Sequence, residues 1–248
     1  MEPDYSPAVA LSFIILLFGL LFLVLTGYRL ALKNSGLDTT ERRRKVRMLM
    51  LPLLFWLLVL AKVSGMKFFH DWTAMPPRLM IAVLPPLLFA ILLMRSGKVT
   101  RLLENIPHQW LIFIQSFRIL MELILWKLFM EQLIPVQMTF EGSNFDIFSG
   151  ILALPVAYLA LRKKASLNLI MAYNIIGLLL LANILVIAIL SAPLPVRMFM
   201  NEPSNTIVAY FPFVWLPGFV VPVAYTMHFL SLKKCIAEKR RLGKFAEN

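Results

Sequence analysis

Apolar side chains run along the chain in long blocks that lack a polar face, separated by short stretches where Arg, Lys, Asp, Glu, Pro and Gly collect. A bilayer core about 30 Å thick is crossed by roughly 20 helical residues, because each residue rises about 1.5 Å and backbone groups in lipid must pair internally. Seven blocks approach or exceed that length, at about residues 8–27, 48–66, 79–94, 110–130, 145–161, 167–190 and 206–232. A transmembrane barrel would instead show segments of about ten residues alternating apolar and polar. The pattern therefore predicts an all-α, polytopic transmembrane helical bundle of seven helices, with residues 1–248 forming a single integral membrane domain.

Composition agrees, at 60% hydrophobic and 15% charged residues, which excludes an ordinary soluble domain. The net charge of +12 would suggest a nucleic-acid partner in a soluble protein, but here its position along the chain matters more. Basic residues crowd alternate loops: Arg29, Lys33, Arg42, Arg43, Arg44, Lys45 and Arg47 in the first, Arg95, Lys98 and Arg101 in the third, and Arg162, Lys163 and Lys164 in the fifth. Lys233, Lys234, Lys239, Arg240, Arg241 and Lys244 follow the last block. Because positive short loops stay cytoplasmic, the N-terminus is expected outside and the C-terminus inside. The expected partners are the lipid bilayer and anionic lipids at the cytoplasmic face, with no nucleic acid. A protein partner or a homo-oligomer is compatible with the same surface.

Glu2 and Asp4 precede the first block where a secretory signal would carry Lys or Arg, and no small-x-small cleavage site follows, so that block is expected to remain as an anchor. The single cysteine, Cys235, forms no internal disulfide, and His70, His108 and His228 are scattered, so neither a metal nor a cofactor is expected.

Polar residues inside the apolar blocks are the candidates for function. Gln115, Arg118, Glu122 and Trp126 recur at spacings of three, four and four, which places them on one helical stripe. Arg118 and Glu122 lie deep in the fourth block and are expected to pair. The pair reads either as a structural ion pair fixing helix register or as part of a polar pocket or proton path. After this block comes the most polar outer stretch, with Glu131, Glu141 and Asp146 as its carboxylates. Ser143 or Asn144 is expected to cap the fifth helix, with Asp146 near the positive end of its dipole. Glu131 and Glu141, with Arg78 and Arg197 from neighbouring outer loops, are candidates for an external mouth or for solvated ion pairs.

Prolines gather in particular blocks: Pro85 and Pro86 in the third, Pro155 in the fifth, and Pro212, Pro217 and Pro222 in the seventh. Such helices resemble the interrupted ones of transporter binding sites, although neighbours often repair a single kink. Asn168, Tyr173, Asn174 and Asn183 in the sixth block read as packing contacts between helices, and the histidines as interfacial residues. No phosphate loop, GxSxG elbow, HExxH or dinucleotide fingerprint occurs. No lysine lies between Ala165 and Leu232, which excludes a retinal Schiff base in the last helix.

The segments Met75-Pro76-Pro77-Arg78-Leu79-Met80, Phe117-Arg118 with Met121-Glu122, and Ile134-Pro135-Val136-Gln137-Met138-Thr139-Phe140-Glu141-Gly142 with Asn144-Phe145-Asp146 carry a resemblance. With Phe199-Met200-Asn201-Glu202-Pro203 and Trp215-Leu216-Pro217-Gly218-Phe219, they resemble an uncharacterised bacterial multi-pass inner-membrane family. The resemblance covers most of the chain beyond the second block. It implies a multi-pass protein of the bacterial inner (plasma) membrane and no particular substrate.

Three functions are compatible with these residues. The first is binding, transport or sensing of a small polar ligand through a pocket open to the outer face, built from Gln115, Arg118, Glu122, Trp126, Glu131, Glu141, Asn144, Asp146, Arg78 and Arg197. The second is an intramembrane enzyme with Glu141 or Asp146 as acid or base on a lipid-linked substrate. The third is a non-catalytic accessory or assembly protein.

Overall fold

The computed structural model describes residues 3–246, with side chains as far as Gly243, so Glu2 and the side chain of Lys244 lie outside the described residues. It is all-α. Helix α1 (Pro7–Asn34) starts where the Ser6 hydroxyl accepts from the Val9 N–H with Pro7 in the first turn, and ends before Gly36, whose φ is +80°. Although α1 is apolar all round, its buried residues Val9, Phe13, Leu16, Leu17, Leu20 and Leu21 recur at helical spacing and form one packed seam. Asp38 caps α2 (Thr39–Gly65), which buries little besides Leu57, Leu60 and Ser64. Helix α3 (Met80–Arg95) carries Pro85 and Pro86 without a break, so the expected interruption there is absent. The chain instead bends by 77° at Ser96 into a short helix, α4 (Gly97–Leu103).

The fourth block is one rod built in pieces: α5 (His108–Phe113), a 3-10 turn over Ile114–Ser116, and α6 (Phe117–Met130). Helix α7 (Ile147–Leu161) packs closely on it, because a Cβ at Gly150 would stand 2.9 Å from the Ile119 nitrogen and 3.2 Å from the Arg118 Cβ. At 15 residues α7 is about 22 Å long. Helix α8 (Leu167–Leu190) then runs against α9 (Val221–Ala246).

The seventh block starts later than its hydropathy suggests. Residues 206–214 are irregular, with turns and a 3-10 segment, and regular winding begins at Trp215 and the π-helical turn Leu216–Val220. Pro217 has no N–H, and its ring crowds the preceding turn, which widens the helix there. Pro222 likewise leaves the Gly218 carbonyl without its helical donor, and the Trp56 indole of α2 donates to it at 2.9 Å. Trp215 reciprocates with a 2.9 Å bond to the Leu57 carbonyl.

Among the described residues three helices, α1, α2 and α8, are long and apolar enough to cross a membrane, and a fourth qualifies if the bent α3–α4 pair counts as one span. Large apolar side chains such as Leu11, Phe22, Phe55, Leu58 and Leu179 stand more than half exposed on these helices, an exterior compatible with lipid and unsuited to water. The main core lies between α1, α2, α6 and α9, with Phe13, Leu17, Phe213 and Val214 fully enclosed.

Candidate functional site

Arg118 is 1% exposed, and the structure pairs it with Asp146 rather than Glu122. Its Nη1 donates to Asp146 Oδ1 at 2.7 Å and to the Gly177 carbonyl at 3.3 Å. Asp146 comes within reach because the glycine contact at Gly150 draws the start of α7 onto α6. It also stands at the N-cap of α7 without capping it, since its carboxylate is engaged by the guanidinium; neither Ser143 nor Asn144 takes the cap. Asn144 turns inward, its Nδ2 donating to both Glu122 oxygens at 2.7 Å and to the Met138 carbonyl at 3.0 Å. Its own Oδ1 accepts from the Asp146 N–H at 3.0 Å, so one amide links the two carboxylate residues.

The stripe expected on the fourth block therefore fans out to different partners. Gln115 donates to the Ala224 carbonyl of α9, and Trp126 donates at the rim to Glu141 Oε1 while stacking on Phe140. Glu131 accepts from the amide and hydroxyl of Ser6 and so holds the start of α1. Arg78 pairs with Asp71 in its own loop, and Arg197 with Glu202 in another. Hydrogen bonds from Thr73 and the charge of Arg78 hold the Asp71 carboxyl below its ordinary range, and Arg197 does the same for Glu202. Among the described residues Glu131, Glu141, Arg78 and Arg197 do not converge, each going to a separate partner, while Gln115, Arg118, Glu122, Asn144 and Asp146 are all buried.

A second set of residues meets Arg118 from the other side. A Cβ at Gly177 would lie 2.4 Å from His228 Cε1, 2.6 Å from its Nε2 and 3.0 Å from Ser149 Oγ, so the glycine lets the imidazole and the hydroxyl pack directly against α8. His228 is fully buried, not interfacial as its place near the end of the seventh block suggested. Its Nδ1 meets Asn174 Oδ1 at 2.9 Å, while the Asn174 amide donates to Ile170 O and Ser231 Oγ. With both amide protons committed, Asn174 Oδ1 is an acceptor, which makes Nδ1 the protonated ring nitrogen and Nε2 the free lone pair.

Four atoms around this contact have no hydrogen-bond partner among the described residues: Arg118 Nε, Arg118 Nη2, Ser149 Oγ and His228 Nε2. Tyr173 closes the side by donating to the Ser149 carbonyl at 3.2 Å. Buried donors and acceptors of this kind are seldom left unmet in folded proteins. Together they present unmet donors from arginine and serine and an unmet acceptor from histidine. Among the described residues no group of His, Cys, Asp and Glu has the arrangement of a metal site.

Ser149, Asn174, Gly177 and His228 come from α7, α8 and α9, and no spacing within a single block would have assembled them. The signal in the sequence is that a polar residue recurs in each of three apolar blocks.

Residues 76–235 match a family described as a domain of unknown function, DUF8737. The chain belongs to this family. The matched segment includes α3 to α8 and α9 as far as Cys235, so every residue of the Arg118 centre lies within the DUF8737 region while α1 and α2 precede it. No curated protein and no solved structure matches the chain.

Proposed function

We propose that this chain is a seven-helix protein of the bacterial inner membrane, N-terminus outside and C-terminus cytoplasmic, that binds, transports or senses a small polar ligand at the Arg118 centre. The observation that carries the reading is one buried guanidinium with a single carboxylate partner and two unpaired nitrogens, meeting the unpaired Ser149 hydroxyl and His228 Nε2 at Gly177. A purely structural arginine would have its donors satisfied by carbonyls and carboxylates. A ligand with two acceptors and one donor, such as a small carboxylic acid, complements the set. Access from the outer face requires the 131–146 connection to move, since Asn144 and Asp146 close the centre on that side. The polar chain then continues inward through His228, Asn174 and Ser231. Both the fifteen-residue α7 and the jointed α5–α6 rod count as spans in this reading.

Thermal unfolding of the detergent-solubilised protein against a series of formate, acetate, bicarbonate and urea concentrations tests it. The expected result is a saturable rise in Tm with at least one of these probes that is lost in Arg118→Gln and kept in Arg78→Gln and Arg197→Gln. No saturable shift with any probe, or the same shift in all three variants, overturns the reading.

A further inference from the structure

An apolar cavity of about 640 Å³ lies away from the Arg118 centre, in the half of the bundle where the basic loops collect. That volume is in the range of sites for drug-sized ligands. Val24 of α1, Pro52 of α2, Phe89 of α3, Leu102 of α4, Trp110 of α5 and Met227 of α9 are among its lining. Its only lysine or arginine is Lys98, exposed on α4. Met48 and Leu49 also line it, and Arg44 and Lys45 sit one turn back on the same faces of α2. Lys98, Arg44 and Lys45 form no ion pair among the described residues.

The cavity is held in shape by two consecutive lysines of α9. Lys233 Nζ donates to the carbonyls of Leu93, Met94 and Ser96, at 3.2, 2.7 and 2.8 Å, and so satisfies the end of α3 at the 77° bend. Lys234 Nζ donates to the Leu103 carbonyl at 2.8 Å and so satisfies the end of α4. Helix α4 is thereby fixed across the inner end, with Val99, Leu102 and Leu103 toward the cavity. Such a short amphipathic helix suits the headgroup boundary of a bilayer.

We infer that this cavity is a binding site for one anionic glycerophospholipid of the inner leaflet, an acyl chain lying in the groove and the headgroup phosphate at Lys98 with Arg44 and Lys45 beside it. Apolar walls with unpaired cations confined to the mouth at the basic end match a molecule with an apolar tail and an anionic head. An uncharged or zwitterionic lipid would leave these cations without a counter-charge.

Native mass spectrometry of the full chain, released from detergent after equilibration with equal phosphatidylglycerol and phosphatidylethanolamine, tests the inference. One phosphatidylglycerol retained per chain in preference to phosphatidylethanolamine is expected, with Lys98→Gln lowering the preference about fivefold. Leu102→Trp, which fills the groove, is expected to abolish retention of either lipid. Quenching of the parent protein by phosphatidylglycerol brominated on its acyl chain provides a second measurement that needs no groove-filling variant. It should contain a saturable component that Trp110→Phe reduces and that Trp110→Phe combined with Trp56→Phe removes, since both indoles line the cavity. Equal retention of the two lipids, retention undiminished in Leu102→Trp, a lipid-free dimer, or quenching without a saturable component each overturns the proposal. The Arg118→Met/Asp146→Leu double variant should retain the lipid as the parent does, which keeps this outcome separate from that of the ligand site.

Discussion

Arg118 is placed by its neighbours more than by its own helix. A residue four positions along, Glu122, is the obvious partner on a helix surface. Yet Glu122 is engaged by Asn144, and the guanidinium turns to Asp146 from the start of α7. Removing one member of a buried ion pair leaves an uncompensated charge and costs about 3–5 kcal/mol, whereas replacing both with apolar groups of similar volume is often neutral. Arg118→Met alone should therefore lower stability by about 3–5 kcal/mol. The Arg118→Met/Asp146→Leu variant should recover most of that loss and still show no ligand response. Equilibrium unfolding of the three proteins in mild detergent checks the stability order. The recovered fold without the response separates a functional arginine from a structural one.

At the scale of elements, the C-terminal part of α9 does more than terminate a helix. Glu238 accepts from His108 Nε2 at 2.8 Å and pairs with Lys234 at 3.2 Å, joining α9 to the start of α5. Burial works to raise its carboxyl, but the bond from His108 and the two nearby charges outweigh it and hold the pKa below the ordinary value. A depressed carboxylate contributes stability that is present above its unfolded pKa, about 4.3, and is lost as pH falls through the folded value. Unfolding measured from pH 6 down to pH 3 should therefore show a smaller acid loss in Glu238→Gln than in the parent. Identical slopes would mean that the cluster does not couple protonation to folding. Cys235 beside it is enclosed, its thiol pushed up to about 11 by burial first and by Glu238 second, so it should resist alkylation in the folded protein.

At the scale of the whole molecule, the helix ends separate into two groups. Ser6 meets Glu131 and Ser64 meets Ala209 at one end, while Asn34 meets Asn105 and Arg241 meets Glu104 at the other. The arginines and lysines of the first, third and fifth loops belong to the second group. In a Cys235→Ala background, Gly36→Cys is expected to react with an impermeant maleimide only after the membrane is opened. Met200→Cys, on an exposed residue of the opposite end, is expected to react in intact cells. The reverse pattern would invert the proposed orientation.

Helical class and the basic end were legible in the chain because both are local. A run of apolar residues must satisfy its backbone internally wherever it lies in lipid, and a loop carries its charge whatever it packs against. Helix joints were less legible: the 3-10 turn at Ile114–Ser116, the π turn at Leu216–Val220 and the bend at Ser96 depend on packing and on carbonyls released by prolines. Arg118 stood out in the sequence as a charge in an apolar block, as did the neighbouring carboxylates. Its partner and the unpaired atoms that meet at Gly177 did not, because they arise where α6, α7, α8 and α9 meet. The amino-acid order thus determined which residues are forced out of water and which cannot remain alone in lipid, since desolvation acts on each side chain separately. Only the tertiary structure decided which of them compensate one another, because hydrogen bonds depend on distance and direction between helices far apart in the chain.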